Sequence, residues 1–335
     1  MGGQRSGREE PTMVRILLCS YNGERYLPAQ LDSILSQRTE EDYELLISDD
    51  CSGDGTREIL RNYRERRPDR VRLLLRESPS GGAWRHFLSL FTEGHAAGAD
   101  YIMLSDQDDV WEPEKLSESL DAMREMERSC GAALPLLVHC DSRLVDGELR
   151  EIAPSFTAYQ KMSPERDRLA QLLVQNHVVG ASVMINRALS ERIRTMPERI
   201  VMHDQWIALI AAAFGRLLYL PKPLYLYRQH GANVLGAEKG SLFSEILGRL
   251  GIGRKDGRSK REMDEHSRAV YAALFEQAES FLRIYGEELR PEQRRLLEDF
   301  LRIREQGRLG KIINILGHGF TYNLLHRTIG ELIFI

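Results

Sequence analysis

The amino-terminal two thirds of the chain encode an α/β fold, a mostly parallel, doubly wound sheet flanked by helices. Three observations predict it. Short apolar runs alternate with segments whose apolar residues recur at helical spacing, and such alternation implies right-handed crossovers between parallel strands. Three of the apolar runs stop in polar clusters, at residues 20–23, 49–55 and 106–109. Ligands of open parallel sheets bind outside the carboxyl ends of the strands, where these clusters fall. Finally, a hydrophobic content of 42% in 335 residues supplies a substantial core.

In chain order, residues 14–19 form a first buried strand, broken by Ser20-Tyr21-Asn22-Gly23. Leu27, Leu31, Ile34 and Leu35 mark a helix that tolerates Pro28 in its first turn. Residues 43–48 make a second strand, ending in a turn-rich loop from which Thr56 is expected to cap a helix faced by Ile59, Leu60 and Tyr63. Residues 71–75 are a third strand, 84–91 a helix and 101–104 a fourth strand. Pro113 opens a helix faced by Leu116, Leu120 and Met123. Residues 136–140 are again a strand, with a tight turn at Asp146-Gly147. Ser163-Pro164 opens a helix that buries Leu169, Leu172 and Leu173. Residues 178–185 read as a strand in which Gly180 admits a close neighbour. Asp204 is expected to cap an apolar helix, residues 207–214, stopped by Gly215. Two short strands, 217–220 and 224–227, flank Pro221-Lys222-Pro223.

Beyond about residue 240 the character changes. Residues 248–261 hold six Lys or Arg against one Asp and read as a basic linker or loop. Residues 261–285 and 291–304 are helical, with Val270, Leu274, Ala278 and Leu282 on one face, and residues 312–335 are rich in Ile, Leu and Phe. The expected organisation is a polar tail at 1–12, an α/β domain at 13–240 and a helical carboxyl-terminal region at 241–335.

A net charge of −4 gives no general attraction to nucleic acid. Cys19, Cys51, Cys130 and Cys140 show no C-x-x-C spacing, so they read as a reduced set rather than a disulfide framework or zinc site. No apolar leader and no apolar run long enough to span a bilayer is visible, so a cytoplasmic location is expected.

The acidic stretch Asp106-Gln107-Asp108-Asp109 asks for a chemical reason. Three like charges so close repel and raise one another's pKa. A hard divalent cation, Mg²⁺ or Mn²⁺, with a phosphate on its far side would relieve this, whereas a solvated acidic turn is the plain alternative.

The segments at 14–23, Asp49-Asp50-x-Ser52-x-Asp54-Gly55-Thr56, Asp106-x-Asp108-Asp109 and His203-Asp204-x-Trp206 resemble, in order and spacing, those of family 2 glycosyltransferases. The chain is most similar to bacterial rhamnosyltransferase-type members that build cell-surface polysaccharides. The resemblance covers roughly residues 13–235 and implies the Rossmann-like GT-A fold. It implies that Cys19, Tyr21 and Asn22 line the nucleotide, although many relatives have a small polar residue where Cys19 stands. It implies that Asp50 accepts from a base N–H, as an ionised carboxylate can. Asp106 would face ribose or metal, Asp108 would bind Mn²⁺ or Mg²⁺, His230 would add a further metal ligand, and Arg85 would pair with diphosphate. Asp204 would be the base of an inverting transfer, with Trp206 walling the acceptor side, His203 supporting Asp204 there, and Asp109 either structural or facing the acceptor.

The implied donor is a nucleotide-diphospho-sugar such as dTDP-rhamnose or a UDP-sugar, and the implied acceptor a growing surface glycan or lipid-linked sugar. Two rival readings are a sugar nucleotidyltransferase, which lacks support because residues 20–25 are not its Gly-rich basic loop, and a non-catalytic sugar-nucleotide or glycan-binding subunit. The carboxyl-terminal helices admit two uses: a basic and apolar contact with the inner face of the cell membrane, or a helical cap that packs on the domain or on a second copy in a homodimer.

Overall fold

The structure, a computed structural model, describes residues 12–230, 260–324 and 328. The polar tail, most of the basic stretch at 248–261 and most of the last apolar stretch lie outside the described residues.

One nine-stranded sheet organises the fold. Strand β1 (Val14–Ser20) is followed by helix α1 (Leu27–Leu35), β2 (Tyr43–Asp49), α2 (Thr56–Arg66), β3 (Val71–Leu75), α3 (Ala83–Thr92) and β4 (Tyr101–Ser105). These four strands are parallel in the order β3-β2-β1-β4, as the alternation predicts. β1, β2 and β4 are buried along almost their whole length, which is why they read as continuous apolar runs.

The second half of the sheet is mixed. A two-residue strand, β5 (Val110–Trp111), leads to α4 (Lys115–Cys130), which starts two residues after Pro113. β6 (Leu136–Val145) is twice the expected length, and β7 (Glu151–Ala153) pairs back on it across a wider loop than a two-residue turn. The segment after Ser163-Pro164 is not a helix until a single turn at 169. Short helices α5 (Phe156–Tyr159), α6 (Leu169–Leu172) and α7 (Arg187–Ser190) punctuate this region, with β8 (Val183–Asn186) before α7. The strand expected at 178–185 therefore shrinks to β8, preceded by a 3-10 turn at Gly180–Ser182, and β8 runs antiparallel to both β4 and β6.

Helix α8 (His203–Phe214) stops at Gly215, where a Cβ would lie 1.6 Å from the carbonyl oxygen of Pro135. The two strands expected around Pro221 and Pro223 are one, β9 (Arg216–Arg228), parallel to β6. Cys140 pairs with Leu220 and Asp141 with Pro223, so the ladder skips Pro221 and Lys222. A proline without an N–H is accommodated in a strand at such a bulge.

Two apolar layers cover the sheet. On one face α1, α2 and α4 contribute Leu27, Leu31, Leu60, Leu116, Leu120 and Met123. On the other, α3 and α8 share a single core with the carboxyl-terminal helices α9 (Lys260–Tyr285), α10 (Pro291–Arg302) and α11 (Arg308–His318). In α9, Leu274, Ala278 and Phe281 are buried, whereas Val270, expected on the same face, is exposed. Among the described residues no helix is long and apolar enough to cross a membrane.

Candidate active site

The carboxyl ends of β1, β2 and β4 converge on one region, stitched by side chains. The Tyr21 N–H donates to Gln107 Oε1 (2.9 Å), and Gln107 Nε2 returns a bond to the Tyr21 carbonyl (3.0 Å). A Cβ on Gly23 would lie 2.2 Å from that same Oε1, so glycine lets the two loops meet. Asn22, at φ 46°, accepts from the Gly53 N–H through Oδ1 (2.9 Å), and its own N–H donates to Ser52 Oγ (2.9 Å). Thr56 is the first residue of α2 rather than its cap; its Oγ1 accepts from the Gly23 N–H (2.8 Å). Asp49 is fully buried and accepts from Arg57 Nε (2.6 Å) and the Ser52 N–H (3.1 Å), which makes it a loop anchor.

Asp50 is nearly buried, and its two oxygens accept from the Ser80 N–H and Ser80 Oγ, each at 2.7 Å. Ser80 belongs to the loop before α3, so Asp50 ties that loop to the end of β2. Arg85, one turn on, lies over the ring of Trp84 at 4.4 Å. Cys19 lines the floor between the two acidic loops; burial, then the negative charges of Asp106 and Asp50, push its thiol upward and keep it neutral. Tyr21 is 58% exposed, its ring at the mouth of the site.

The acidic turn separates its three carboxylates. Asp108 Oδ2 is 2.8 Å from His230 Nε2. His230 is held by the ring of Tyr26 (4.7 Å between centroids), whose ring also takes the Arg228 guanidinium (4.5 Å). Arg228 in turn fixes the turn itself, donating from Nε to the Asp108 carbonyl (2.7 Å) and from its backbone N–H to Asp109 Oδ1 (3.2 Å). Asp109 is therefore a correction: at 1% exposure, bonded to the end of β9, it cannot face an acceptor. Asp106 is pushed up to about 7, by burial first and then by the charges of Asp108 and Asp204.

Asp204 lies in the first turn of α8 and does not cap it; the residue before the helix is Met202. Its Oδ1 accepts from the Gln205 N–H (2.6 Å) and from Asn176 Nδ2 (3.1 Å), and its Oδ2 from the Gly180 N–H (3.2 Å). Burial pushes it up to about 6. The close neighbour that Gly180 admits is His203, whose Nε2 would lie 2.6 Å from a Cβ there. His203 stacks on Phe87 (4.1 Å) and burial holds it neutral, down to about 3. At 5% exposure His203 packs inward beside Asp204. Trp206 is a second correction. Its side chain is fully buried against Phe281 and Tyr285 of α9, so it walls no acceptor site.

The donor chemistry suits a borderline divalent cation. Asp108 offers a carboxylate oxygen of the kind that suits Mn²⁺ or Mg²⁺, with the His230 imidazole nitrogen beside it, and burial together with the charges of Asp108 and Asp204 raises Asp106 nearby. Among the described residues no three His, Cys, Asp or Glu side chains would enclose a cation unaided.

Sequence reasoning missed Gln107, Arg228, Asn176 and Lys115. Gln107 lies between two recognised aspartates and gives no signal of its own. Lys115 is fully buried under the acidic turn, donating to the Ala181 carbonyl (2.5 Å) with its ammonium over Trp111 (3.9 Å) and Tyr225 (4.3 Å). A lysine in the first turn of a helix ordinarily reads as surface.

Residues 15–193 match the model of glycosyl transferase family 2. Similar proteins include the dTDP-rhamnosyl transferase RfbG of Shigella flexneri, 27% identical over 240 residues, covering 71% of this chain and 79% of that one. The putative teichuronic acid biosynthesis glycosyltransferase TuaG of Bacillus subtilis is 29% identical over 216 residues, covering 60% and 73%. Among solved structures, S. aureus TarS 1-349 in complex with UDP-GlcNAc superposes with a TM-score of 0.53 at 16% identity, over 92% of this chain and 87% of that one. That likeness bears on the fold, and the fold is GT-A.

Proposed function

The chain belongs to glycosyl transferase family 2 and is a glycosyltransferase; from that premise we propose an inverting, cation-dependent transfer from a nucleotide-diphospho-sugar to a hydroxyl of a growing surface glycan or lipid-linked sugar. The donor we favour is dTDP-rhamnose, with a UDP-sugar as the second choice. The name of the Shigella relative supports the first and the UDP-GlcNAc complex of TarS the second.

The observation that carries the reading is the convergence of Asp106, Asp108 and Asp204. They come from the end of β4 and the start of α8, yet Asp204 and Asp108 are close enough for their charges to raise Asp106. In this reading the donor-side and acceptor-side carboxylates lie within electrostatic reach of one another.

In this reading Asp50 accepts from the base N–H while keeping Ser80, since each carboxylate oxygen has two lone pairs. Tyr21 and Asn22 line the nucleoside, Asp106 the ribose, and Arg85 would swing from Trp84 toward the diphosphate. Asp108 and His230 would hold Mn²⁺ or Mg²⁺, which when bound offsets the charge gathering on the leaving diphosphate. Asp204 takes the proton of the acceptor hydroxyl as its oxygen bonds to the sugar C1 and the C1–O bond to phosphate breaks. The electron pair of that bond leaves with the nucleoside diphosphate, and attack from the opposite face inverts C1.

Thermal-shift screening tests the donor. dTDP-rhamnose, UDP-glucose, UDP-N-acetylglucosamine and GDP-mannose would be compared with and without Mn²⁺. The true donor stabilises by about 2.7 kcal/mol at a hundredfold excess over its Kd. The reading fails if no nucleotide-sugar stabilises the protein, or if Asp108→Ala leaves transfer intact.

A further inference from the structure

We propose that Asn176 is a positioning residue for Asp204: its side-chain amide fixes the rotation of the carboxylate so that Oδ2, rather than Oδ1, receives the acceptor proton. This rests on the reading of Asp204 as the base and goes beyond it by assigning the oxygen and the residue that selects it.

The amide of Asn176 is oriented by its own loop. Oδ1 accepts from the Val178 N–H (2.9 Å), and Nδ2 donates to the Val178 carbonyl (2.7 Å). Only the NH₂ end can then reach Asp204, and it does so at 3.1 Å from Oδ1. A flipped amide would set oxygen against the Val178 carbonyl and Asp204 Oδ1 and its NH₂ against the Val178 N–H, so the network decides the assignment.

The donors are unequal on the two carboxylate oxygens. Among the described residues, Oδ1 receives Asn176 Nδ2 and the Gln205 N–H, and Oδ2 receives the Gly180 N–H alone. An oxygen with two lone-pair directions and two donors is saturated. Oδ2 keeps one direction open, and it is the more basic oxygen because fewer donors stabilise its charge. The same short segment, residues 176–180, supplies a donor to each carboxylate oxygen, Asn176 Nδ2 to Oδ1 and the Gly180 N–H to Oδ2.

Other charged or titratable groups face Asp204 from each packed element. Asp106 comes from β4, and Tyr227 from β9, whose hydroxyl feels Asp204. His203 is adjacent on α8 and neutral, and His177 on the loop is turned against His139 (5.3 Å) and kept neutral by burial. Among the described residues Asn176 is the side chain that donates to Asp204.

The test is the titration of the Asp204 carboxyl, followed by ¹³C NMR of Asp-labelled full-length protein, with Asp204→Asn giving the assignment. Asn176→Ala removes one donor and should move the midpoint up by roughly half a unit to one unit. Asn176→Asp places a second carboxylate beside it and should move it up by about one unit or more. In parallel, transfer from dTDP-rhamnose to alkyl glycosides should fall about tenfold or more in kcat for Asn176→Ala, with the donor KM held. Asn176→Ser, which keeps a short donor, should recover part of the midpoint shift and guards against misfolding in the other two. An unchanged midpoint in both Asn176→Ala and Asn176→Asp overturns the proposal. Wild-type transfer by Asp204→Asn would instead overturn the reading of the base, whatever Asn176 does.

Discussion

The imidazole Nε2 of His230 lies 2.8 Å from Asp108 Oδ2, although 122 positions separate the two in the chain. The contact joins the end of β9 to the acidic turn after β4 and sets a nitrogen and an oxygen side by side. Removing His230 should therefore weaken Mn²⁺ more than it weakens nucleotide alone. A loss at least that of an outer-shell partner, about 10–100-fold, is expected for His230→Ala in Mn²⁺ titrations of the nucleotide-bound protein followed by electron paramagnetic resonance. Asp108→Ala and chelation should each abolish transfer; equal Mn²⁺ affinity in His230→Ala and wild type would remove the histidine from the site.

Asp204, pushed up to about 6, must be ionised to accept a proton. The rate should fall as pH drops through about 6 and level off above it. Asp204→Asn should lose about 10²- to 10⁴-fold in kcat while donor affinity by calorimetry stays within a few-fold. A flat pH profile from 5 upward would contradict this assignment.

Trp206 packs edge-on against Phe281 (5.3 Å) and beside Tyr285 (6.0 Å). Trp206→Ala should cost about 3–5 kcal/mol in denaturant unfolding. Trp206→Phe, which keeps most of the volume, should leave the acceptor KM unchanged. A selective rise in acceptor KM would put the ring back at the acceptor.

Burial pulls the Lys115 ammonium down to about 8 from an ordinary 10.5, against the opposing pull of negative groups that include Asp109 and Asp106. The unfolded chain then binds the extra proton between those two values. Stability contributed by this group rises with pH across that window and is penalised below it, by something on the order of 3 kcal/mol in all. Lys115→Met should abolish that slope, and it should also lose about 1–3 kcal/mol at pH 9 or above because the Ala181 carbonyl is left without a donor. Guanidinium melts at pH 7.5 and 10 in both proteins would measure it.

The parallel half of the sheet was readable because strands buried on both faces leave unbroken apolar runs, and the acidic turn because three aspartates cost too much to be idle. Reversal of β8 left no such trace: direction depends on pairing with Met103 and Val138, which no local pattern encodes. The prolines at 221 and 223 looked like a strand break because local rules do not foresee a bulge that lifts Pro221 out of the ladder. Trp206 and Asp204 sit two residues apart on the same helix, and the sequence offered both to the acceptor. The 3.6-residue period turns them to different sides, and only the arrival of α9, some seventy residues later, shows which side is open. Asn176 was silent because its orientation comes from a loop bond to Val178 and not from any periodicity.

Helix α8 begins at residue 203, beyond the 15–193 stretch that matches the family, and its apolar flank is completed by α9 and α10. In the proposed reading the nucleotide side of the site rides on the sheet, while Asp204 rides on a helix whose opposite flank is packed by the carboxyl-terminal helices through Trp206, Phe281 and Tyr285. Packing lost at Trp206 would therefore be felt two residues away at Asp204 before it reached the acidic turn.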